Sequence, residues 1–144
     1  MNDFESLRQE IFEQAARRAL KQIDPETGLI PGSGKIVHKT GAHSRAGGST
    51  IRESVYAATA LAMTGSEALA WKAVAAVLDH QDLNPRSMTY GNFRWWSNWD
   101  FALDPNAISF IVPHLCYILK HRGAQMPPEL AALPPVKPGS RGLQ

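Results

Sequence analysis

The richest chemistry in the chain lies between Tyr90 and Asn106. Positions 90–100 read YGNFRWWSNWD and hold three of the four tryptophans. An indole presents a flat apolar face on which the axial C–H groups of a pyranose can stack. The hydroxyls around the sugar edge then need carboxylate, amide and guanidinium partners. Tyr90, Trp95, Trp96 and Trp99 are the expected stacking platforms, and Asn92, Arg94, Asn98, Asp100, Asp104 and Asn106 the expected polar partners. Aromatic walls with a few placed polar groups are the usual make-up of a small-molecule site, so the expected ligand is a carbohydrate. Phe93 and Phe101 are read as anchors that pack the loop onto the helices.

Two acids in this neighbourhood have evident structural duties. Asp104-Pro105 reads as an N-cap followed by proline at the first helical position. Glu53 reads as the far end of a capping box opened by Thr50. Asp100 has no such duty, which makes it the candidate general acid or base. Glycoside hydrolysis needs a second carboxylate, about 5 Å away for retention and about 6.5–9.5 Å away for inversion.

Other chemistries find little support. Gly32-Ser33-Gly34-Lys35 is not a phosphate loop, because Leu29 stands where the first glycine belongs and Ile36 where Ser or Thr should follow. His38 and His43 sit in a glycine-rich loop without an acidic neighbour, so no metal site and no cofactor are expected. There is no GxSxG elbow and no HExxH run. Cys116, the single cysteine, lies in an apolar helical run and is read as a buried thiol.

The elements that must hold the 90–106 stretch are helical. Residues 3–22 place Phe4, Leu7, Ile11, Ala15 and Leu20 at helical spacing, with Ile23 just beyond, and Asp24-Pro25 stops the run. A second helix starts at the Thr50 cap and ends near Met63, before Gly65. Ser66 opens a third, which runs to about His80. A fourth extends from Asp104 to Gly123 with an expected kink at Pro113. A short fifth begins at Met126. The connections alternate long, short, long, short. Helices joined by a tight turn pair antiparallel, so the two long links, 24–49 and 81–103, should gather at one end as a binding face. No strand is expected.

The 144 residues carry a net charge of only +2, too weak for a nucleic-acid partner. No window approaches the ~18 consecutive apolar residues of a membrane span. The N-terminal MNDFESLRQE has no apolar segment of the signal-peptide kind, so a cytoplasmic protein is expected. A helical domain over 1–133 and a disordered tail over 134–144 complete the organisation.

Several short motifs occur in a telling order: Arg52-Glu-Ser-Val-Tyr56, then Val77-Leu-Asp-His-Gln81-Asp, then Tyr90-Gly-Asn-Phe-Arg-Trp95, then Asp104-Pro-Asn-Ala-Ile-Ser-Phe110, with Gly28-Leu-Ile-Pro31 ahead of them. Over about residues 24–133 this order resembles the early hairpins of six-hairpin glycosidase-like proteins, the (α/α)6 toroids of glycoside hydrolases and polysaccharide lyases. The resemblance implies a carbohydrate site in the toroid mouth. Tyr90, Asn92, Arg94, Trp95, Asp104 and Asn106 would then be mouth residues. The terpenoid cyclases, a second toroid class, are disfavoured by the lack of a DxDD-like run. A full toroid has twelve helices and this chain about five. The expected architecture is therefore all-α, with antiparallel helical hairpins forming a partial α/α toroid. Open apolar helix faces would be covered by further copies in a homo-oligomer. The expected activity is to bind, and to hydrolyse, a glycan. The alternatives are a truncated, non-catalytic carbohydrate-binding protein and a helical protein-interaction module.

Overall fold

The computed structural model describes residues 3–32 and 47–132. The expectations for His38, His43, the Gly34-Lys35 pair and the C-terminal tail lie outside the described residues. The chain is mostly helical: α1 (Asp3–Gln22), α2 (Ile51–Met63), α3 (Glu67–Leu78), α4 (Ala107–Arg122) and the single turn α5 (Pro128–Ala131), which follows a 3-10 turn at Gly123–Gln125.

Helix α2 is the centre of the molecule. Nine of its thirteen residues are buried, because it packs against α1, α3 and α4 at once. The Thr50 hydroxyl accepts from the backbone N–H of Glu53 at 3.4 Å, but the Glu53 carboxylate turns to the Arg52 guanidinium, 2.7 Å away. Only half of the expected capping box forms. Gly65 adopts φ +88°, which lets the chain reverse tightly into α3. Helices α2 and α4 lie side by side and parallel. Ile51 and Ile108, at their starts, both donate to the 92–95 segment, Thr59 meets His114 midway, and Arg122 Nε reaches the carbonyl of Ala62 near the end. That last bond satisfies a carbonyl left open at a helix C-terminus.

The core has two parts. One is rich in alanine: Ala16 and Ala19 of α1, Ala57, Ala58, Ala60 and Ala62 of α2, and Ala70 and Ala73 of α3, with Leu61, Trp71 and Ile118. Small side chains let helix axes approach closely. This explains the main departure in α1. Its alanine face turns inward with Ile23, while Phe4, Leu7, Ile11 and Leu20, expected to follow the core stripe, remain exposed. Cys116 is exposed as well, on the outer side of α4.

The second part of the core sits at the opposite end, where the long links meet. A two-residue antiparallel pairing, β1 (Ile30–Pro31) with β2 (Ser49–Thr50), continues through a Thr50–Trp96 bridge. Ser97 N–H donates to Ser49 O at 2.9 Å, and Ser49 N–H to the Ser97 hydroxyl at 2.8 Å. The described parts of the two links therefore meet at one end. Pairings this short leave no alternating pattern to read in the sequence.

Candidate functional site

The stretch 92–99 is built into the interior. Trp95, Trp96 and Trp99 are 7%, 4% and 8% exposed, and Phe93 is 1% exposed. They form one cluster with Leu29, Ile51, Val55, Val77, Ala107 and Ile111. The expectation that three indoles serve as stacking platforms is corrected by this burial. Each has an internal role. Trp95 donates its indole N–H to Asp104 Oδ2 at 2.9 Å and packs on Phe110, with Arg52 over its ring. Trp96 covers Gly32, where an added Cβ would run into the indole. Large aromatics bury the most apolar area per residue, so they fill the gap between the helix starts and the two links.

Asn92 is likewise a structural residue and not a ligand contact. It is 6% exposed and engaged at both ends of its amide. Its Oδ1 accepts from the backbone N–H of Ile108 at 3.0 Å, and its Nδ2 donates to Asp104 O at 2.6 Å. An asparagine fifteen residues before the start of the helix thus satisfies an open donor in the first turn of α4. The expected cap, Asp104, lies two residues further out. Its Oδ1 accepts from Asn106 N–H, and its Oδ2 holds Trp95. Helix α4 accordingly begins at Ala107, later than the Asp-Pro signal places it.

The outer parts of the same link form a cleft. Gln81, Asp82, Leu83, Asn84, Ser87, Arg94, Asp100, Phe101 and Ala102 line a hollow of about 400 Å³. Two of the expected site residues meet there, Arg94 and Asp100. Tyr90, Asp104 and Asn106 are not among its lining residues. The cleft is held open by local turns. Asp82 Oδ1 accepts from Asn84 N–H, Asn84 Oδ1 accepts from Arg86 N–H, and Thr89 donates its hydroxyl to Asp82 Oδ2 at 2.6 Å. Such Asx turns are what Asp and Asn do in loops. Gln81 pairs with Phe93 across the base, and Gly91 closes the loop at φ +84°. The Arg94 guanidinium is fixed by the carbonyls of Trp99, at 2.8 Å, and Asp79, at 3.3 Å.

Electrostatically, Asp82 is the defined group of the cleft. Hydrogen bonds from Ser87 and Thr89 hold its carboxyl below the ordinary carboxylate value, so it acts as an ionised acceptor. Phe101, read as an anchor, is 70% exposed on the cleft wall, with Leu83 exposed nearby. The cleft residues missed in the sequence are Gln81, Asp82, Leu83, Asn84 and Ser87. Their signal was the turn run Asp82-Leu-Asn-Pro-Arg-Ser87, where closely spaced turn formers fold carboxylate and hydroxyl groups toward each other.

A second polar contact lies between α2 and α4. The Thr59 hydroxyl donates to Val55 O at 2.9 Å, so it accepts from His114 Nδ1 at 3.0 Å. The His114 ring packs on Tyr56 at 4.4 Å, and burial pushes its pKa below 6.5. Among the described residues, no three His, Cys, Asp or Glu side chains converge as a metal site requires, and no helix is long and apolar enough to cross a membrane. No protein-family model, curated protein or solved structure matches this chain.

Proposed function

We propose that the protein binds a glycan in the cleft formed by residues 81–87 and 94–102. The observation that carries this reading is the exposed ring of Phe101 beside Asp82, Arg94 and Asp100 in one hollow. The ring supplies the stacking face that the buried indoles do not. The two carboxylates accept from sugar hydroxyls, while Arg94 and Asn84 donate. The hollow has the ~300–1,000 Å³ volume of small-molecule sites. Helix arrangement is consistent with a segment of an α/α toroid, because α2 and α4 run parallel and adjacent while α3 returns between them in the chain.

Hydrolysis enters this reading through Asp100 and Asp82, the two acids of the cleft. Asp82 is held ionised, which suits a base or nucleophile. Calorimetric titration with a panel of neutral and acidic oligosaccharides tests the binding. Saturable heat that disappears in Asp100→Asn or Phe101→Ala is the expected result. Silence across the whole panel would sink the reading. If reducing ends are released, Asp100→Asn should stop their release. Undiminished turnover in that variant removes Asp100 from the chemistry.

A further inference from the structure

Helix α1 carries an apolar stripe that nothing in the described structure covers. Phe4, Leu7 and Ile11, three and four residues apart, share one face and are 72%, 54% and 58% exposed. That face is not the one α1 turns to α2, which is Ala16 and Ala19. Three large apolar side chains in a row on an outer helix form the kind of patch that marks an association surface.

The charges on α1 select the partner. The first half carries Asp3, Glu5, Glu10 and Glu13 against one base, Arg8, and the second half carries Arg17, Arg18 and Lys21 and no acid. At about 100° per residue, Asp3, Glu10, Arg17 and Lys21 fall along one flank of the stripe. Acid, acid, base, base along a single line is self-complementary only when reversed. We infer that two copies of this chain associate through α1, antiparallel about a two-fold axis near Phe12 and Glu13. Arg17 of the other copy then lies within about 3 Å of level with Glu10 along the axis, and Lys21 within about 1.5 Å of level with Asp3, both within reach of long side chains. Ile11, close to the axis, packs beside Ala15 of the second copy. Leu7 and Phe4 lie along the alkyl stems of Arg18 and Lys21, which cover apolar surface while their charges reach water. The antiparallel arrangement also sets opposite helix-dipole ends together. A C2 contact of this kind uses the same patch on both subunits. The contact is confined to one helix of 20 residues on each copy.

Sedimentation across a micromolar dilution series of the intact chain tests this, with circular dichroism as the control for folding. The expected result is a monomer–dimer equilibrium that Leu7→Glu with Ile11→Glu shifts wholly to monomer at unchanged helicity. Glu10→Lys alone and Arg17→Glu alone should each weaken dimerisation about tenfold. An equimolar mixture of those two variants should recover it, because each then meets the opposite charge on both sides of the axis. A wild type that stays monomeric at every concentration overturns the inference. So does a dimer indifferent to Leu7 and Ile11, since it uses another face. Single-charge variants that dimerise as tightly as wild type, or fail to recover on mixing, overturn the antiparallel pairing.

Discussion

Two portions of the same link behave in opposite ways. Residues 92–99 form a core, with Phe93, Trp95, Trp96 and Trp99 closed off from solvent, whereas residues 81–87 and 100–102 form an open cleft whose wall is the exposed Phe101. Both portions mix aromatic, basic and amide side chains. What separates them is their backbone. The inner portion pairs with β2 and with the starts of α2 and α4, through Thr50–Trp96, Ile51–Trp95 and Ile108–Asn92. The outer portion is braced mainly by Asx turns at Asp82 and Asn84, with Asp82 N–H donating to Asn92 O at 2.7 Å. A segment stitched to three elements must turn its apolar side chains toward them. A segment held mainly by its own turns can leave them in water.

Four substitutions or conditions test that contrast. The largest effect belongs to Trp96→Ala, which empties a site in the aromatic core and should lower unfolding free energy by about 3–5 kcal/mol in a denaturant titration. A loss under 1 kcal/mol would show that the indole is dispensable to the core. Asn92→Ala comes next, removing the remote cap of α4 and a bond to Asp104 O at once, with an expected loss of about 2 kcal/mol. Hydrogen exchange should localise that loss to the first turn of α4.

Acidification should act on the α2–α4 contact. The folded-state pKa of His114 lies below 6.5, so the unfolded chain binds the proton more readily. The contribution is fully present above pH 6.5 and is lost as pH falls through the folded value. Tm should drop between neutral pH and mild acid, and the drop should shrink in His114→Phe. An undiminished drop in that variant would assign the dependence to other groups. The smallest effect on stability belongs to Phe101→Ala, within about 0.5 kcal/mol because the ring is largely in solvent. Its consequence should appear in ligand titration instead. A loss comparable to that of Trp96→Ala would mean the two portions of the link do not differ as described.

Helix α2 shows what the sequence can convey. Its cap at Thr50, its end before Gly65 and its short turn into α3 are local signals, each fulfilled by atoms within a few residues. Convergence of the two long links followed from that same alternation of connections. The cleft was legible in part, since Arg94 and Asp100 lie in it while Asp82 and Ser87 were passed over. Helix α1 shows the limit. Its period marked the large apolar residues, yet the face chosen for packing was the alanine one, because Ala57 and Ala60 of α2 favour close approach.

The sequence alone therefore determined where the helices run, where they stop and which links come together, because caps, turns and periodicity act over a few residues. Only the tertiary structure decided that the indoles lie inside, that Asn92 caps a helix fifteen residues away, and that Phe101 faces solvent. Those outcomes depend on how much space the packed helices leave at their starts, and that space is a property of several elements together.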